Sequence, residues 1–268
     1  RDLHSFPTRR SSDLKNGISS ASTWLNGVDP KSAAYIPGTG VIKTVQEQDG
    51  LQFESWYFTP FHAPGGGENT LRALVAVVKV KNTGTAAQDC SLFSLMNFHM
   101  EGVGNNTSES IVWKGTDRYL MESKGTRKFI YKNLISSNSA YSADTGGAAN
   151  NPWMLASGGS HFNDYGSGLT GNDIAAGFEN RINNGGTFAA GDSAWFGVVV
   201  GYSADQDEAT LWNDIKSFIN NRTPEQIVNG EIDWWTAWHQ VETAPSGLTS
   251  RELRSEEHTS ELQSRQSI

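Results

Sequence analysis

The sequence predicts a mainly β protein: a large antiparallel sandwich of two sheets, followed by C-terminal helices. Three observations predict it. The chain is rich in Gly, Asn, Ser and Thr and carries 28 Gly and 9 Trp against only 19% charged residues, a mixture suited to many strands joined by turns. Its apolar residues alternate in short runs that end in Asp-Gly or Asn-Thr-Gly turn signals. Near residue 204 the apolar period changes from that of a strand to that of a helix, so strands come first and helices last.

Taken in order, VIKTVQEQDGLQFESWYFTPF reads as two strands around the turn Gln48-Asp49-Gly50, with Phe53, Trp56 and Phe58 on the second. NTLRALVAVVKVKNTG is the clearest strand. Leu74, Val75, Val77, Val78 and Val80 favour the pleat, and Asn82-Thr83-Gly84 ends it. DCSLFSLMNFHMEG follows as its expected hairpin partner. SIVWKG, RYLMESK and KFIYKNL give three further short strands. From about Asn138 to Gly171 the pattern breaks into a turn-rich stretch with Pro152 and clustered Gly, read as a long irregular loop. IAAGFENRI and SAWFGVVVGYS are then strands. The near-continuous run Trp195, Phe196, Val198, Val199, Val200 implies burial on both faces.

The helices have separate signals. Leu211, Trp212, Ile215, Phe218 and Ile219 fall at helical spacing behind the acids Asp205, Asp207 and Glu208. Thr223, Pro224 and Gln226 form a capping signal for a second helix, with Gly230 as an expected interruption. Trp234, Trp235 and Trp238 give that helix an aromatic face. In APSGLTSREL, Ser250 and Glu252 mark a further helix start.

The ends read differently. RDLHSFPTRRSSDL and RSEEHTSELQSRQSI are Ser-rich and lack a core pattern. Back-translated, they resemble the paired adapters of a short-read sequencing library. Residues 1–14 and 254–268 are therefore expected to be adapter-derived, and to be disordered or make arbitrary contacts. A β domain is expected over 15–203 and linker helices over 204–253, in a fragment of a longer bacterial chain. Localisation stays open between cytoplasm and periplasm or secretion.

Charge and motifs exclude several functions. The two end segments carry equal acidic and basic charge, so the interior keeps the net −8 of the whole chain. Such a surface repels phosphate backbones, and nucleic acid is not expected as a partner. No apolar run approaches the ~20 residues of a membrane helix, so no membrane partner is expected. Cys90 is the single cysteine and reads as a small buried hydrophobe. The sequence has no P-loop, no G-x-S-x-G and no H-E-x-x-H, and no cofactor, metal or catalytic residue is assigned. His99 and Glu101 share a strand face and could begin a metal site with His62 and His161, but a structural reading is preferred. Asp205, Asp207 and Glu208 lack the Gly and distant Glu of a calcium loop and suit a helix N-terminus better. His239 reads as a surface imidazole. Trp153, His161, Asn163, Asp164 and Tyr165, in the long loop, combine aromatic and amide or carboxylate groups. That chemistry can stack on a sugar and bind its hydroxyls, or simply fold the loop on itself.

The strand pair LRALVAVVKVKNTGTAAQDCSLFSLMNFHMEG, the later GDSAWFGVVVGYSADQDEATL and the linker IDWWTAWHQVETAPSGLTSREL together resemble the N-terminal region of bacterial glucoamylase-like, family-15 glycoside hydrolases. Pro245, Leu248, Thr249 and Glu252 stand in the order seen there before the first barrel helix. The resemblance implies a galactose-mutarotase-like β-supersandwich, then a helical linker, then an (α/α)6 barrel. That barrel would be the partner of the Trp234–Trp235–Trp238 face and would bear both carboxylates of an inverting hydrolysis of α-glucans or related oligosaccharides. By this resemblance the present chain is a non-catalytic module. The alternatives are a free-standing carbohydrate-binding or structural module and, less favoured, a mutarotase-like enzyme using His99 and Glu101.

Overall fold

The computed structural model describes residues 7–10, 23–60, 71–88, 90–98, 100, 108–182, 188–205 and 207–241. The expectations for His62, His99, Glu101 and the helix start at Ser250 lie outside these residues. In chain order the strands are β1 (Pro7–Arg10), β2 (Thr23–Trp24), β3 (Ser32–Tyr35), β4 (Ile42–Gln48), β5 (Leu51–Phe58), β6 (Ala73–Asn82) and β7 (Cys90–Asn97). They continue with β8 (Glu109–Lys114), β9 (Tyr119–Lys124), β10 (Arg127–Asn133), β11 (Ser139–Thr145), β12 (Leu169–Gly171), β13 (Ile174–Arg181) and β14 (Ser193–Ser203). The helices are α1 (Pro152–Ser157), α2 (Glu208–Ile219) and α3 (Pro224–Val241).

The chain is mainly β, with two antiparallel sheets, as the sequence predicts. One has nine strands in the order β12-β8-β9-β10-β14-β6-β5-β4-β3, the other five in the order β11-β13-β7-β1-β2. The β4–β5 hairpin pairs Gln48 with Leu51. Asp49 and Gly50 both adopt positive φ, the signature of a type I′ turn whose twist matches the flanking strands. The expected second hairpin is absent. β6 pairs with β5 and β14 on its two edges, so no edge is left for β7, and the chain crosses to the other sheet. Asn82 closes that crossing by donating to the carbonyls of Ala86 and Phe188 at 2.9 and 2.8 Å.

The stretch read as one irregular loop holds β11, α1 and β12. Its strands were hidden because β11 is SAYSADT, small and polar, and gains its place by a seven-residue register with β13. Pro7–Arg10 pairs as a strand between β7 and β2. An open strand edge recruits any extended backbone, so this pairing does not speak to the segment's origin.

Packing falls into three layers. Leu92, Met96, Phe178, Val198 and Val200 meet between the sheets. Val75, Val77, Val199, Leu211, Trp212 and Ile215 meet between the nine-stranded sheet and the helices. Phe93, Leu95, Ala156 and Phe162 form a smaller cluster under α1. β14 thus contributes Val198 and Val200 to one layer and Val199 to the next, which is the burial on both faces that its apolar run implies. Cys90 is buried in the inter-sheet layer.

The caps form as their residues dictate. Asp207 accepts from the Thr210 backbone N–H at 2.8 Å to start α2. Thr223 and Gln226 bond reciprocally at 2.9 and 3.2 Å to start α3. Gly230 does not interrupt α3. The packing of Ile227, Val228, Ile232 and Trp235 on the sheet outweighs the roughly 1 kcal/mol a glycine costs a helix.

α2 lies close on β14. A Cβ at Gly201 would meet Ile215 Cδ1 at 2.5 Å. Gly201→Val is therefore expected to destabilise by about 1–3 kcal/mol through overpacking. Thermal unfolding checks this, and an unchanged midpoint would contradict the contact.

Candidate functional site

The five loop residues singled out in the sequence are held by different partners. Asn151 caps α1 by accepting from Trp153 N–H at 3.0 Å. Trp153 then packs with Leu155 on the cluster of Phe93, Leu95 and Phe162, so much of its ring serves the fold. Asp164, at φ 56°, accepts the Tyr141 N–H at 3.0 Å. The Tyr165 carbonyl accepts the Ala143 N–H at 2.9 Å. Asn163 is exposed, and the Tyr165 side chain is 39% exposed.

His161 is brought to a residue the sequence reading missed. Its Nδ1 lies 2.5 Å from Glu179 Oε1. Ser91 donates to the same oxygen at 2.7 Å, and the Phe162 N–H donates to Oε2 at 2.8 Å. Arg181 reaches Oε2 at 3.4 Å and the Phe162 carbonyl at 3.2 Å. Glu179 is 0% exposed. Burial alone would raise its pKa, but the bonds from His161, Ser91 and Phe162 together hold it below the ordinary value. The signal was available: β13 is buried on both faces, and a glutamate there must be paired. Chemically the arrangement anchors the loop to β13 and β7. Ser91 and His161 both turn toward the same carboxylate, so no Ser–His relay is formed.

The acids before α2 act as helix-terminal groups. Asp207 caps the helix, while Glu208 takes Lys114 Nζ at 2.8 Å and Tyr119 OH at 2.7 Å. Burial and the Glu208 carboxylate push the Tyr119 phenol upward. Among the described residues no three His, Cys, Asp or Glu side chains converge on a metal position.

On α3 the aromatic row divides. Trp235 packs on the sheet layer and donates from Nε1 to Glu231 Oε1 at 3.1 Å, and a Cβ at Gly40 would touch its ring at 2.9 Å. This ring is committed to its own domain, as its place on the face of Ile227, Val228 and Ile232 requires. Trp234 and Trp238 stack at 6.5 Å between centroids, and Trp238 is 36% exposed. His239 lies against Trp238 at 4.9 Å.

A cavity of about 380 Å³ opens between the sheets, away from both places, with Leu74, Met96, Val198 and Val200 in its wall. Two of its polar groups are engaged internally. Gln46 donates to the Leu25 and Val28 carbonyls at 2.5 and 2.8 Å, and Ser94 bonds Tyr131.

Among the described residues no helix is long and apolar enough to cross a membrane. No family model and no curated protein matches the sequence. Solved structures do match in fold. A bacterial glucoamylase complexed with acarbose shares it with a TM-score of 0.62 at 12% identity, over 87% of this chain and 31% of that one. A heparan sulfate lyase mutant from Pedobacter heparinus (TM-score 0.38, 9% identity, 67% of this chain and 22% of that one) resembles it too weakly to argue from. So does a GH36 α-galactosidase from Geobacillus stearothermophilus in complex with raffinose (TM-score 0.33, 12% identity, 80% and 31%). The chain thus spans about a third of the glucoamylase it matches, and what it shares with it is the sandwich fold.

Proposed function

We propose that this chain is a non-catalytic β-sandwich domain of a glucoamylase-like glycoside hydrolase acting on α-glucans or related oligosaccharides. It supports an (α/α)6 barrel that docks on α3. The observation that carries the reading is the divided aromatic row: Trp235 seats the helix on the sandwich, while Trp234 and the exposed Trp238 stack on the other side. Burying an aromatic pair of this kind against a partner is a strong source of association energy. The likeness in fold to a glucoamylase supports the setting. Hydrolysis by inversion needs two carboxyl groups roughly 6.5–9.5 Å apart across a substrate cleft, and the carboxylate that organises the loop, Glu179, is wholly engaged inside the sheet.

The test joins a reducing-sugar assay on maltose and longer α-glucans with size-exclusion chromatography. No turnover is expected. The wild-type chain should self-associate through its aromatic face, and Trp234→Ala/Trp238→Ala should be monomeric, with its unfolding midpoint little changed. Turnover by the wild-type chain would overturn the reading. A carbohydrate-binding module is the second reading, favoured by the exposed Asn163 and Tyr165 side chains. Retardation in an α-glucan gel that is lost in Tyr165→Ala would select it.

A further inference from the structure

The cavity between the sheets has a cause in its residues. Packed sheets stand about 10 Å apart, and side chains from both inner faces fill the gap. On β6 the register sets Ala76 between Tyr57 of β5 and Val198 of β14. On β7, Ser94 alternates with Leu92 and Met96, which belong to the inter-sheet core. Ala76 and Ser94 both line the cavity, and both are too short to close the gap. The space left is about 380 Å³, whereas most voids in native interiors are no larger than a water molecule.

The walls are held in place. Tyr131 OH donates to the Ser94 carbonyl at 2.8 Å, and Gln46 ties down the Leu25 and Val28 carbonyls. From Tyr57 the same face runs out to solvent. Ile42 stands opposite Tyr57, and Tyr35 opposite Ile42, so the three side chains share one side of the sheet. Tyr35 is 65% and Ile42 36% exposed, which makes the approach apolar.

Among the described residues no charged side chain lines the cavity, so an ionised ligand would lose its water without gaining a partner. The polar side chains in the wall are Asn26, Thr44, Gln46, Tyr57 and Ser94, and Gln46 and Ser94 already bond within the protein. That is too few for a saccharide, whose buried hydroxyls each need a partner, and enough for a single hydroxyl. Tyr57 and Met96 offer ring and thioether contacts, which favour an aromatic ligand over an alkyl chain. An apolar cavity of about 150 Å³ takes one benzene, so this larger space has room for a second ring.

We propose that the cavity binds a neutral, compact aromatic molecule of about two rings carrying one hydroxyl, which enters past Tyr35 and Ile42. α3 packs on the opposite face of the nine-stranded sheet, so this site is separate from the helix on which a barrel would dock.

The test is a calorimetric titration of the whole chain with 2-naphthol, which is neutral near neutral pH. One site per chain is expected, with a negative heat-capacity change. Ala76→Leu puts a larger side chain into the space. It should weaken naphthol binding by roughly tenfold or more without lowering the unfolding midpoint, because it fills a void instead of overpacking a filled core. Met154→Ala, on α1 and exposed, should leave binding unchanged. In wild type with isotope-labelled methionine methyl groups, naphthol should shift the Met96 signal and leave those of Met121 and Met154 in place. That readout decides even if Ala76→Leu fails to fold. Octanol and maltose should each bind roughly tenfold or more weakly than naphthol. The inference is overturned if the wild-type chain binds no naphthol, if Ala76→Leu binds it as tightly as wild type, or if the Met96 methyl does not respond. It is also overturned if octanol or maltose binds as tightly as naphthol.

Discussion

Replacing Glu179 by alanine is expected to lower stability by about 3–5 kcal/mol, the range seen when one member of a buried charged network is removed. Four groups converge on this carboxylate: His161, Ser91, the Phe162 N–H and Arg181. Deleting it leaves the Ser91 hydroxyl and the Phe162 N–H facing a cavity, each with a desolvation cost of about 1–3 kcal/mol. Arg181 contributes less, because its side chain is 37% exposed and its contact is 3.4 Å, so solvent screens it. His161→Ala should cost less than half as much, since three partners remain. Urea unfolding of the two single variants and the double variant checks this. A Glu179→Ala chain within about 1 kcal/mol of wild type would mean that the network does not hold the loop.

The same carboxylate sets a pH response whose sign is fixed. Its folded pKa is depressed, so its contribution is present above the unfolded value of about 4.3 and is lost as pH falls through the lower folded value. Glu122 runs the other way. Burial first, then Glu109 and Asp173, raise its pKa well above the ordinary range. The folded state therefore holds its proton more tightly than the unfolded chain, and stability is lost as pH rises from about 4.3 through the folded value. Wild type and Glu179→Ala should therefore converge in stability under acid.

These two carboxylates also show what the sequence could tell. The strands of the nine-stranded sheet were legible because Val75, Val77 and Val80 or Val198 and Val200 carry the pleat in their own side chains. The caps Asp207 and Thr223 were legible because capping is local. The segment 138–171 was not. β11 is made by its register with β13, and α1 by Asn151, Pro152 and a hydrophobic floor of Phe93 and Leu95 drawn from β7. None of this is visible within a short window of sequence. The crossing after β6 was illegible for the same reason, since which edge is free depends on β14, far along the chain. Of the candidate loop residues, sequence chemistry found His161 but not Glu179, because an ionisable partner in an apolar strand announces a pair without naming it. In the Trp row, helical spacing gave the face, and only packing divided Trp235 from Trp234 and Trp238.

Gly166→Ala is expected to cost about 3 kcal/mol or more, and Gly168→Ala only about 1 kcal/mol, although both glycines lie in left-handed backbone. Gly166 has φ +104° and Gly168 φ +80°. A side chain at either position carries the strain of that region, about 1–2 kcal/mol. The surroundings differ. Nothing lies within 4 Å of a Cβ at Gly168, whereas at Gly166 the added carbon would overlap the Ala143 carbonyl oxygen. That oxygen is backbone, in a strand paired along its length with β13, and it cannot swing aside as a side-chain tip would. The chain must instead lift off β11, breaking the bond between Ala143 N–H and the Tyr165 carbonyl and the one between Tyr141 N–H and Asp164. Faster hydrogen exchange at the amides of Tyr141 and Ala143 should accompany the loss, with little change at β4 and β5. If Asn163 and Tyr165 bind a sugar, Gly166→Ala should abolish that binding and Gly168→Ala should spare it. Equal stabilities for the two variants would show that backbone strain alone, and not the close approach to Ala143, accounts for glycine at 166.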